Sequence, residues 1–224
     1  MHRNRARLLL VLCGLVSGNA CFAQSEPLIP FAKGDTWTYR QTVALPGQDE
    51  QTYNPRFGIL FANKDGRLVY GRSASTPGAT WTPAGAIPGN SCIRDFAEDD
   101  ALGLTDSCGA QLEPGKTWES NQSDSLAEVK TGFKVVGIED VVVPAGSYKA
   151  IRIESKKVIT TVAYAGVAAP RGGYVKHIST TYWFSPQAKG FVKTVMESRL
   201  PDGSLFLKLT NELIPTKVES QRAK

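Results

Sequence analysis

Three corners cut the second half of this chain into runs too rich in β-branched residues to be read as helix. They are Val143-Pro144-Ala145-Gly146, Ser185 to Gly190 (SPQAKG) and Pro201-Asp202-Gly203. Each places Pro or Gly where a tight turn needs a preset or unusual φ. Between and around them run Phe133–Val143, Tyr148–Thr161, Tyr174–Phe184, Phe191–Leu200 and Ser204–Ile214. Strand alternation is visible in two of these. Tyr182 and Phe184 fall on one face with Trp183 on the other, and Leu205, Leu207 and Leu209 alternate with Phe206, Lys208 and Thr210. Five strands on short turns predict an antiparallel meander with one apolar and one wet face. In the first corner, Pro144 and Gly146 hold the second and fourth positions of a type I turn, so the reading of PAG is a hairpin corner.

The first half is less regular. Thr36–Val43 and Arg56–Tyr70 read as strands, the second broken by the hairpin signal Asn63-Lys64-Asp65-Gly66. Thr76–Gly89 is rich in Pro and Gly and reads as an irregular loop. No long apolar run has helical spacing, and the one helical turn expected lies around Ile93–Leu102. Phe31-Ala-Lys-Gly-Asp-Thr-Trp37 is echoed by Leu112-Glu-Pro-Gly-Lys-Thr-Trp118, with Gly, Thr and Trp each 81 positions on. The echo means either a duplicated half or two similar strand starts, each a turn at Gly that launches a strand.

The N-terminus reads as an export signal covering residues 1–23. Arg3, Arg5 and Arg7 precede the apolar run Leu8–Val16, and Cys21-Phe22-Ala23 is a small-x-small cleavage site that would release Gln24. The run is about half the length a membrane helix needs, so an integral membrane protein is not expected. The rival reading makes Cys21 a lipid anchor. Ala20 fits that pattern, but Gly18 stands where such signals carry Leu. Of 26 Lys and Arg, Arg3, Arg5 and Arg7 leave with the signal, and the remaining 23 face 21 Asp and Glu. A mature chain so close to neutral gives no reason to expect nucleic acid as a partner.

Export also explains the cysteines. Cys13 and Cys21 belong to the signal, leaving Cys92 and Cys108, which are expected to form one disulfide in an oxidising compartment. Zinc would be a ligand short, because His177 is the one His left in the mature chain. Asp95, Glu98, Asp99, Asp100 and Asp106 crowd the loop between the cysteines, but their spacing is not that of a calcium loop. Pro114-Gly115-Lys116-Thr117 looks like the end of a phosphate loop, yet Ala110 stands where the first Gly belongs, and the residues from Trp118 on are polar and irregular, not helical. His177 lies near Ser179, but no Gly-x-Ser-x-Gly elbow exists to make a hydrolase nucleophile. No cofactor or metal is implied.

The motifs GDTWTY, VPAGSYKA and YWFSPQAKGFVK resemble those of a broad group of exported bacterial proteins of unknown function, similar to periplasmic half-barrel proteins. The resemblance covers residues 31–40 and 112–195 with gaps, and leaves out residues 77–108 with the pair Cys92 and Cys108. It implies a curved antiparallel sheet with an apolar concave side and a binding cleft there, and it brings no catalytic residues. The aromatics Trp37, Tyr39, Trp118, Tyr182, Trp183 and Phe184 are either core or the lining of such a cleft.

The expectation is therefore a mainly β protein with little helix: a signal peptide at 1–23, one β-rich domain at 24–217 and a frayed tail at 218–224. The domain reads as one unit or as two similar halves, about 28–108 and 109–217. Its expected role is a non-enzymatic binding or structural module, periplasmic or secreted, for an apolar small molecule or an envelope protein. The alternative is an extracytoplasmic hydrolase.

Overall fold

The corners read from the sequence are hairpins of one large sheet. A computed structural model of the 224-residue chain describes residues 27–74, 76, 79–94, 108, 112–123, 127–161, 163–164, 167–168 and 174–216. The signal peptide, the acidic residues Asp95–Asp106 and the tail at 218–224 lie outside the described residues. So does the expected helical turn, apart from Ile93 and Arg94, which are not helical.

The described residues form thirteen strands: β1 (Thr36–Ala44), β2 (Gln51–Tyr53), β3 (Pro55–Ala62), β4 (Leu68–Ala74), β5 (Thr82–Ile87), β6 (Thr117–Ser123), β7 (Ala127–Val143), β8 (Gly146–Thr161), β9 (Ala163–Tyr164), β10 (Val167–Ala168), β11 (Tyr174–Ser185), β12 (Gly190–Arg199) and β13 (Leu205–Ile214). Eleven form a single sheet in the order β5-β4-β3-β1-β13-β12-β11-β8-β7-β6, with β2 pairing on β1. All its pairings are antiparallel, and no helix occurs among the described residues. The sheet is two meanders, one of β1 to β5 and one of β6, β7, β8, β11, β12 and β13, joined where β13 pairs with β1; β9 and β10 pair with each other apart from it.

Two expectations need correcting. The segment read as an irregular loop, Thr76–Gly89, contains β5, which pairs with β4 so that Ile87 lies opposite Leu68, both buried. Pairing on an available edge overrides the Pro and Gly content. The residues from Trp118 on, read as irregular because they are polar, are the edge strand β6. Most of its side chains are exposed, so its polarity reflects that position.

The sheet does not stay flat. β8 buries Ile151 and Ile153 in one hydrophobic cluster with Phe133, Val135, Tyr182 and Phe184. The adjacent Ala150 is buried in another, with Trp37, Tyr39, Val141, Val143 and Leu213. Consecutive strand residues point to opposite faces, so the β7–β8 hairpin changes the face it buries partway along. A bulge between Val135 and Gly137 marks the change and supplies the extra twist. Beyond the bulge Val141, Val143 and Ala145 join the cluster that holds Trp37 and Tyr39 of β1 and Leu213 of β13.

Candidate functional site

Trp37 and its echo show how the aromatics are placed. Gly34, with φ 94°, donates its N–H to Ile59 O (2.9 Å), and Trp37 then pairs opposite Phe57. Gly115, with φ 88°, donates to Val135 O (2.8 Å), and Trp118 pairs opposite Phe133. Asp35 N–H bonds back to Ala32 O and Lys116 N–H to Glu113 O, at 3.0 and 3.1 Å. The same strand-launch device is thus built twice, with Phe31 and Leu112 buried as its anchors.

The six aromatics do not line one opening. Trp37, Tyr39, Tyr182 and Phe184 are buried, the first two in one hydrophobic cluster and the last two in the other. Trp118 is half-buried and stacks on Phe133 with ring centroids 5.0 Å apart. Trp183 lies on the opposite face, as its alternation with Tyr182 and Phe184 required; it is half-buried against the first cluster, and its indole N–H donates to the Glu139 carboxylate.

That face carries a row of charges in cross-strand register. Arg40 on β1 is opposite Glu212 on β13, which is opposite Lys193 on β12, which is opposite Trp183 on β11. Glu212 accepts from Arg40 at 2.6 Å and from Lys193 at 3.2 Å. The hydrogen bond from Arg40, then the bond and charge of Lys193, outweigh partial burial and hold the Glu212 carboxyl below its ordinary value. Neighbouring strands are thereby tied by ion pairs on this face and by Tyr39, Tyr182 and Phe184 on the other.

Cys92 and Cys108 are disulfide-bonded, with Cα atoms 4.9 Å apart. Cys92 and Ile93 pack on Phe133, Ile151 and Tyr182, so the bridge pins a covering segment against the inner face of the second meander. Phe31 N–H donates to Ser91 O (2.9 Å) and links that segment to the start of β1.

His177 is exposed on β11, and its immediate cross-strand partners are Val158 and Arg199, an aliphatic and a cation. Among the described residues no group of three or more His, Cys, Asp and Glu is placed to hold a metal.

An opening that sequence reasoning missed lies at the far end of β8 from the PAG corner. It has a cavity volume of about 420 Å³, with Ile159, Lys176, Ser198, Arg199, Leu200 and Phe206 among its walls. Leu200 and Phe206 are 43% and 45% exposed at its mouth. Lys176 Nζ stands 5.4 Å from the Phe206 ring centroid. Ser198 is wholly buried, and its Oγ has no hydrogen-bond partner. The one available signal was Phe206, an aromatic on the side of β13 expected to be wet.

No protein-family model and no curated protein matches this chain. Solved structures do. A candidate lipoprotein from Parabacteroides distasonis is similar at 12% identity and a TM-score of 0.45, over 83% of this chain and 97% of that one. A candidate exported protein with a YmcC-like fold from Bacteroides fragilis is similar at 12% identity and a TM-score of 0.41, over 84% and 99%. The hypothetical lipoprotein YmcC from Escherichia coli is similar at 12% identity and a TM-score of 0.33, over 80% and 84%.

Proposed function

We propose that this chain is an exported, non-enzymatic binding module whose site is the opening at the far end of β8, β11 and β12. The observation that carries the reading is an apolar-walled cavity of about 420 Å³ with Leu200 and Phe206 exposed at its mouth. That volume lies within the ~300–1,000 Å³ range of small-molecule sites. The aromatics that the sequence offered for this role are mostly occupied in packing, so the ligand goes to the end of the sheet and not to its middle. Export rests on the leader pattern at residues 1–23, and cleavage after Ala23 leaves a chain starting at Gln24.

Native mass spectrometry of the protein purified from its own envelope tests the reading. A small apolar mass that leaves on mild activation is expected. Its displacement by replacing Leu200 and Phe206 with Asn would locate it. Bare protein that hydrolyses ester or glycosidic substrates would overturn the proposal in favour of a hydrolase.

A further inference from the structure

The walls of this opening are not uniformly apolar, and their polar groups share one sign. Ser198 on β12 pairs with Ile178 on β11, and Lys176 lies two residues further along β11. The two side chains are therefore diagonal neighbours on one face, with Cβ atoms about 7–8 Å apart. Lys176 has no carboxylate partner among the described residues. Arg199, the other cation here, is already engaged by Glu197 at 2.8 Å and Gly203 O at 3.1 Å. A buried hydroxyl without a partner is costly, and the exposed Lys176 stands diagonally beside it with no carboxylate among the described residues to hold it. An anion with two oxygens would take a hydrogen bond from each.

Resting on the binding reading above, we propose that the ligand is a single-chain amphiphile with an anionic head. The head sits between Lys176 Nζ and Ser198 Oγ, and the tail lies along Ile159, Leu200 and Phe206. A cavity of about 420 Å³ has room for one chain and not for a whole two-chain lipid. The Lys176 ammonium stands 5.4 Å from the centroid of the exposed Phe206 ring, so the head is held where apolar wall meets water.

Calorimetric titration with four probes below their micelle concentrations separates the possibilities: dodecanoate, dodecyl phosphate, dodecanol and dodecyltrimethylammonium. At least one anion should bind about tenfold more tightly than dodecanol, the size expected of one charge-assisted contact. The tighter of the two anions identifies a fatty-acid or a phosphate head. Lys176→Gln, at an exposed position that should leave melting unchanged, should erase the difference between the anions and dodecanol. Ser198→Ala should weaken the anions about threefold. Equal binding of dodecanol and both anions overturns the anionic head while leaving the apolar site intact. Failure of all four probes to bind overturns both.

Discussion

The backbone N–H of Ala145, at the tip of the β7–β8 hairpin, donates to the carbonyl of Leu213 on β13 at 3.0 Å. In the sheet, β11 and β12 lie between those elements. Three strand spacings would separate them by about 14 Å if the sheet were flat. The bond therefore records the curl of the sheet. It makes PAG a clasp as well as a corner, with the Ala145 side chain packed against the core that contains Trp37 and Leu213. Among its residues only Gly146 has positive φ, which agrees with the type I turn read from the sequence.

Ala145→Pro deletes the donor at a turn position that disfavours proline, and should destabilise by about 1–3 kcal/mol. Gly146→Val forces a β-branched residue to φ 136° and should cost about 1–3 kcal/mol. Ala145→Ser, which keeps the donor, should stay within about 0.5 kcal/mol. Urea melts decide, and a harmless Ala145→Pro would mean that the clasp contributes nothing.

Gly190 is held to glycine by its neighbour. A Cβ there would stand 2.8 Å from Trp37 Nε1, the atom that donates to Ala188 O at 2.9 Å. Lys189 reaches Asp35 at 3.1 Å beside it, so the first Gly-x-x-Trp element and the SPQAKG turn interlock. Gly190→Ala should cost about 1–3 kcal/mol by overpacking and shift the fluorescence of Trp37. An unchanged melting temperature and spectrum would refute the interlock.

Replacing Cys92 and Cys108 together by Ala should destabilise by about 2–5 kcal/mol, since the bridge closes a 16-residue separation and pins the cover of the second core. Thiol labelling of the unfolded, unreduced protein should find no free Cys. Two labelled thiols in protein taken directly from its compartment would contradict this.

The charge row through Glu212 should show in the pH dependence. Pairing lowers the Glu212 pKa below its ordinary 4.5, so its contribution is complete above that value and drains away as pH falls through the lower folded value. Its side chain is 20% exposed and that of Arg40 is 47% exposed, which limits the pair to about 1 kcal/mol. Glu212→Gln should lose that much at pH 7 and converge with the parent at acid pH, where both are neutral. A deficit that persists there would point to packing and not to charge.

The sequence alone determined the strands of the second meander, their turns, the Cys92–Cys108 pair and the opposed faces of Trp183 and its neighbours. These follow from local causes: alternation with a period of two, the φ demands of Pro and Gly, and the absence of competing thiols. It misread β5 and β6, because an edge strand answers to the strand beside it more than to its own composition. Only the tertiary structure decided that β8 switches its buried face between Ala150 and Ile151, that Ala145 reaches Leu213, and that Trp37 covers Gly190. It also decided that the cleft expected among the aromatics is largely packed, and that an opening lies instead beside Lys176, Ser198 and Phe206. Curvature and register set these contacts. Both arise from bulges and from pairings between residues up to about 170 positions apart, as in Arg40 with Glu212, which no local pattern encodes.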